Sequence, residues 1–188
     1  MREQVLERAS DLFYAEGITA TGVDRVSAVA GVSKRTLYKH FGSKEALVAA
    51  CLLARDAPIR GGFTASAEER TSDPLDRLDA LFEVLMVWLG RDDFRGCPFI
   101  NAAAELPDPE LPARDVARRH KQELRKWIRQ QADAGGVVDP DTLSWQLMTL
   151  FDGAIAQRLV LGAEAAAAPV LAAATALIVA ARAPDDVR

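Results

Sequence analysis

Apolar residues recur every three or four positions along almost the whole chain, and no stretch alternates with period two over a convincing length. That pattern predicts helices and no strands. Val5, Leu6, Ala9, Leu12 and Phe13 share one face of a first helix, which Gly17 is placed to end. A short helix is expected from about Val23 to Ala30, started by Thr21 or Gly22 and closed by Gly31. A third follows at once, with Ser33 as its N-cap and Leu37 and Phe41 pointing inward. Gly42 breaks it, Ser43 caps again, and a longer helix opens at Lys44 with Leu47, Val48, Cys51 and Leu52 on its apolar face.

Residues 56–72, with Pro58, Gly61, Gly62 and a run of polar side chains, read as the joint between a domain of residues 1–50 and one of residues 51–188. Asp73-Pro74 then starts a helix carrying Leu75, Leu78, Leu81, Phe82, Leu85, Trp88 and Leu89. A short helix from Phe99 to Glu105 ends before Pro107, Pro109 and Pro112, and residues 113–134 form a charged amphipathic helix closed by Gly135-Gly136. Asp139-Pro140 opens a helix to about Gly162, and an alanine-rich segment supplies the last. The fold class is therefore all-α, with about nine helices. Residues 165–181 carry no charge, but alanine gains little in hydrocarbon, Pro169 interrupts the run and no aromatic belt flanks it. A buried helix is expected there and no membrane span. Leu143, Leu147, Leu150, Phe151, Ile155 and Leu159, followed by Val170, Leu171, Leu177, Ile178 and Val179, give the last two helices more apolar surface than one subunit's packing needs. A homodimer built through those two helices is the expectation.

Composition refines this picture in one respect. The 188 residues carry a net charge of -4, which argues against a nucleic-acid partner until its distribution is considered. Residues 1–55 hold 8 Lys and Arg against 6 Asp and Glu, whereas the remainder holds 15 against 21. The basic end comes first. Cys51 and Cys97 have neither a CxxC partner nor a neighbouring His cluster, so no disulfide framework, metal site or cofactor is expected. The start Met1-Arg2-Glu3-Gln4 lacks an apolar signal region, and a cytoplasmic location is expected.

The basic end contains the run from Thr21 to Phe41, two short helices joined through Gly31, which is a helix-turn-helix in outline. Val26, Val29, Ala30, Val32, Leu37 and Phe41 can fix the angle between them, leaving Lys34, Arg35, Thr36 and Lys39 outward as hydrogen-bond donors. Such a helix fits the major groove of DNA, its N-terminal side chains reaching base edges. His40 has no nearby Ser, Cys or paired carboxylate in a triad arrangement and His120 sits on a charged helix, so no catalytic residue is assigned. A helical small-molecule carrier or enzyme whose basic helix is incidental is the alternative reading.

The segments Val23-Asp24-Arg25-Val26, Ala30-Gly31-Val32-Ser33-Lys34-Arg35-Thr36-Leu37-Tyr38-Lys39-His40-Phe41 and Ser43-Lys44-Glu45-Ala46-Leu47 closely resemble the TetR family of transcriptional regulators. The resemblance implies a homodimer of nine-helix subunits that binds a palindromic operator in double-stranded DNA and releases it when a small-molecule inducer enters the second domain. It further implies that Lys34, Arg35, Thr36 and Lys39 face bases, with Arg25 as an addition, and that Tyr38, His40 and Lys44 hold phosphates. Thr21 is a further DNA candidate. Gly22 departs from the pattern, since many members carry Ser or Thr there, and this puts one phosphate contact in doubt.

The resemblance fades after residue 50, and the inducer is not readable. Phe82, Met86, Trp88, Phe94, Phe99, Trp127, Trp145, Met148 and Phe151 are either pocket lining or ordinary core. The stretch Gly96-Cys97-Pro98-Phe99-Ile100-Asn101-Ala102-Ala103-Ala104-Glu105 is similar to a Gly-Cys-x-x-x-Asn-x-x-x-Glu stretch in some members. Asn101 and Glu105 share one helix face and are ligand contacts if that face is buried. Cys97 precedes this helix, either as a redox or electrophile sensor or as a small structural residue.

Overall fold

Four of the helices begin where a side chain satisfies their first N–H groups. Thr36 N–H donates to Ser33 Oγ and Ala46 N–H to Ser43 Oγ, both at 3.1 Å, while Asp73 accepts from Leu75 and Asp76 and Asp139 accepts from Thr142. Each such cap is worth about 1 kcal/mol. The computed structural model describes residues 1–162 and 167–182, and among these residues there are nine helices and no strand. In chain order they are α1 (Arg2–Glu16), α2 (Val23–Ala30), α3 (Lys34–Phe41), α4 (Lys44–Arg70) and α5 (Pro74–Leu89). The remainder are α6 (Pro98–Glu105), α7 (Pro112–Ala134), α8 (Pro140–Leu161) and α9 (Ala167–Ala181). Gly31, at φ 68°, turns left-handed, so that its own N–H and that of Val32 return to the Ala28 and Ser27 carbonyls and close α2.

The joint expected over residues 56–72 does not break the helix: α4 continues through it to Arg70. Pro58 removes one helical hydrogen bond and crowds the carbonyl four residues earlier, a cost of about 3 kcal/mol. Burial in the second half of the helix offsets it, because Phe63 and Ala67 are both buried and Phe63 sits edge-on to Trp88 and Phe151 at centroid distances of 5.6 and 5.3 Å. Local breaker signals are weak beside such packing.

The chain forms two compact units whose limits fall inside α4, between α5 and α6, and inside α7: Met1–Ile59 with Cys97–Lys121, and Arg60–Gly96 with Gln122–Arg188. The first unit is built around Val26, Leu37, Leu47 and Phe99, all fully buried. In the second, α9 packs against α5 and α8 around Leu78, Leu81, Phe82, Leu85, Leu147 and Ile178. Ile178 thus belongs to its own subunit's core, together with Leu143, Phe151 and Ile155, and not to the dimer face on which its sequence placed it. Val160, Leu161 and Val179 face outward instead. Residues 165 and 166 of the alanine-rich stretch lie outside the described residues. Among the described residues no helix is long and apolar enough to cross a membrane, and no cluster of His, Cys, Asp or Glu is arranged to hold a metal ion.

Candidate nucleic-acid interface

In α3 the helical period divides the residues without ambiguity. Leu37 and Phe41 are buried, four positions apart, and the sequence Lys-Arg-Thr-Leu-Tyr-Lys-His-Phe has no acidic member. Lys34, Arg35, Tyr38, Lys39 and His40 are exposed, and Thr36 is half-buried with its hydroxyl 2.9 Å from Ser33 Oγ. The N-terminus of α3 therefore presents cationic side chains together with free backbone N–H groups, a combination that attracts anions. Lys44 opens α4, where the Ser43 cap leaves other amides of the first turn available.

Two of the expected DNA-facing cations are already paired. Arg25 makes a forked contact with Glu16 of α1, at 2.7 and 3.3 Å, and Lys34 Nζ lies 2.5 Å from Asp24 Oδ1 on α2. The hydrogen bond donated to each carboxylate, then the carboxylate's charge, raises the pKa of both cations. Sequence reasoning missed these carboxylates, since nothing in their spacing distinguishes a solvated Asp from one aimed at the next helix. Thr21 is a correction: it is buried at 1% exposure, and its hydroxyl donates to the Gly17 carbonyl at 2.6 Å, bracing the turn between α1 and α2. Gly22 is the N-cap of α2 and gives it no side-chain bond.

Residues 5–51 match the model for bacterial regulatory proteins of the tetR family, and residues 74–174 match that for the tetracyclin repressor-like C-terminal domain. The chain belongs to the TetR family of transcriptional regulators. Among curated TetR relatives, the HTH-type transcriptional repressor KstR2 of Mycolicibacterium smegmatis is 30% identical, over 74% of this chain and 68% of its own. The repressor DhaR of Mycobacterium sp. (strain GP1) is 26% identical over 82% of this chain and 80% of its own. A TetR-family regulator from Streptomyces coelicolor, solved by crystallography, superposes with a TM-score of 0.89 and 31% identity over 97% of this chain and 96% of that one. This protein is a DNA-binding transcriptional regulator, and like its TetR relatives it is not an enzyme.

The structure divides the residues weighed as contacts for a TetR ligand. In the second unit Phe82, Trp88, Phe94 and Phe151 join Phe63 in a run of edge-to-face contacts, and Met148 is buried, whereas Met86 and Trp88 are half-buried. Trp127 donates its indole N–H to Glu68 at 2.7 Å. Trp145 is a correction: it is 58% exposed, with the Arg125 guanidinium 4.5 Å from its ring centre, and so faces outward and not into the core. Phe99, Asn101 and Glu105 belong to the first unit. Phe99 stacks on His120 at 3.6 Å, and His120 Nδ1 lies 2.8 Å from an Asp56 carboxylate oxygen, so this histidine is buried with a partner. Asn101 and Glu105 line a crevice with Phe13, Tyr14, Cys51 and Arg55. Glu105 also accepts the Thr19 N–H at 2.7 Å, fastening the end of α6 to the turn that precedes α2. Gly17 leaves room for it, since a Cβ there would lie 3.3 Å from Glu105 Oε2. Both cysteines are buried, and desolvation raises the pKa of the Cys51 thiol to about 11.

Proposed function

We propose that this regulator is a cytoplasmic homodimer that represses transcription from a palindromic operator and is released by a small-molecule inducer. The observation that carries the reading is α3: a capped helix with no acidic side chain, a buried Leu37–Phe41 edge and an exposed cationic face. In this reading residues 1–50 read DNA and residues 51–188 bind the inducer and form the dimer. Lys34, Arg35, Thr36 and Lys39 reach base edges, with Arg25 beside them, and Tyr38, His40 and Lys44 hold phosphates. The inducer is taken up among Phe82, Met86, Trp88 and Met148, or against the Asn101–Glu105 face of α6. Family members typically form homodimers with small-molecule ligands, which supports this division of labour. Two curated relatives that are named as repressors support the sign of the response.

Duplexes selected from a randomised library test it. The wild type should enrich a pseudo-palindrome, and Lys39→Ala should lose about 1 to 3 kcal/mol of discrimination at one position of each half-site. Lys44→Ala should weaken all duplexes alike and lower the salt slope by about one. Failure to enrich any sequence overturns the reading, and position-specific loss with Lys44→Ala overturns the division between base and phosphate contacts.

A further inference from the structure

The salt bridge between Lys34 and Asp24 joins the first residue of α3 to the first turn of α2, and both side chains remain more than half exposed, at 55% and 79%. Their separation of 2.5 Å has a consequence for recognition: whatever the Lys34 ammonium touches, the Asp24 carboxylate is one atom away. Against a phosphate such a carboxylate is repelled. Against a base it is an acceptor in search of an amino group, which in the major groove only cytosine N4 and adenine N6 supply. Lysine in turn prefers guanine, whose O6 and N7 are both acceptors. A donor and an acceptor side by side match guanine O6 beside cytosine N4, an order that T·A shares through O4 and N6, but guanine N7 offers the ammonium a second acceptor that thymine lacks, which favours G·C.

We propose that Asp24 determines sequence specificity, Lys34 and Asp24 together reading a G·C pair in each half-site with the ammonium on guanine and the carboxylate on cytosine. This rests on the reading of Lys34 as a base-facing residue. The Asp24 carboxylate accepts from one N–H of the ammonium and leaves the other two to donate to guanine. Reversing the pair to C·G, or replacing it by A·T, sets the Asp24 carboxylate against an acceptor, O6 or O4, and the Lys34 ammonium against an amino group.

The experiment is selection from a randomised duplex library by the wild type, Lys34→Ala, Asp24→Ala and Asp24→Asn, with circular dichroism confirming that each variant is folded. The wild type should select G·C at one position per half-site by at least about tenfold. Asp24→Ala should lose the part of that preference that cytosine N4 supplies, leaving only the weaker guanine selection of Lys34 while the rest of the motif persists, and Asp24→Asn should move it toward adenine, to which an amide can bond twice. Should Asp24→Ala instead strengthen binding to every duplex equally, while Lys34→Ala still acts at one position, Asp24 is only an electrostatic brake and the proposal falls. Should Lys34→Ala weaken all duplexes alike, the base-facing reading of Lys34 has failed, and the assignment of Asp24 falls with it.

Discussion

Cys51 shows how one residue's environment overrides its chemistry. It lies on α4, 3% exposed, with its sulfur 3.7 Å from the Leu6 carbonyl. Burial raises its pKa to about 11, whereas nucleophilic attack requires the thiolate. The folded-state value lies above that of an unfolded thiol. The stabilisation is therefore complete below the unfolded pKa and is lost as pH rises toward 11, where the unfolded chain ionises and the folded one does not. Alkylation at pH 8, followed by mass analysis of the peptide containing Cys51, should find it unmodified in the native protein and modified in urea. Urea titrations between about pH 9 and 11 should show the wild type losing stability relative to Cys51→Ala, by on the order of 2 kcal/mol. Rapid native alkylation, or parallel pH curves, would contradict the assignment. From the sequence Cys51 could be placed only on an apolar face and without a CxxC partner, because a pKa depends on what surrounds the sulfur and not on its neighbours in the chain.

At the scale of elements, glycines of similar appearance in the sequence have opposite constraints. Gly62 is exposed in the middle of α4, and a Cβ built there meets nothing within 4 Å. Gly62→Ala should raise stability by about 1 kcal/mol through helix propensity and a less disordered unfolded state. Gly135 ends α7 with the Leu75 side chain in the way of such a Cβ, and Gly135→Ala should destabilise, by about 1 to 3 kcal/mol. Paired chemical denaturation curves decide both, and a destabilised Gly62→Ala would mean that α4 needs a flexible point there. The same contrast explains what was legible. Helix starts at Ser33, Ser43, Asp73 and Asp139 could be read because a cap acts within three residues. The continuation of α4 past Pro58 could not, since Phe63 is held by Trp88 and Phe151, both remote in sequence. In the site, the outward face of α3 followed from its period. The burial of Thr21 and the pairing of Lys34 with Asp24 depend on how turns and neighbouring helices meet, which no period encodes.

For the whole molecule, the question is how one small helix that can touch only a few base pairs gains specificity. Two recognition helices on one two-fold axis, spaced about 34 to 36 Å or somewhat more, would read successive major-groove faces of a pseudo-palindrome. Burial within the subunit narrows the surface available for that pairing. On α9 Val170, Ala174 and Ile178 are buried, whereas Ala172, Thr175, Ala176 and Val179 are exposed, and on α8 Ala156 and Val160 are exposed. Val160 and Val179 are 78% and 58% exposed, large apolar side chains beside small ones, which suits a self-complementary helical contact. Val179→Glu should place an unpaired carboxylate in that contact and yield a folded monomer, whereas Ile178→Glu should unfold the second unit, because its charge enters the subunit's own core. Sedimentation, circular dichroism and gel shift on the same samples separate these outcomes. A Val179→Glu protein that remains dimeric moves the interface elsewhere, and a folded Val179→Glu monomer that binds the full pseudo-palindrome as tightly as the wild type removes dimerisation from the mechanism of specificity.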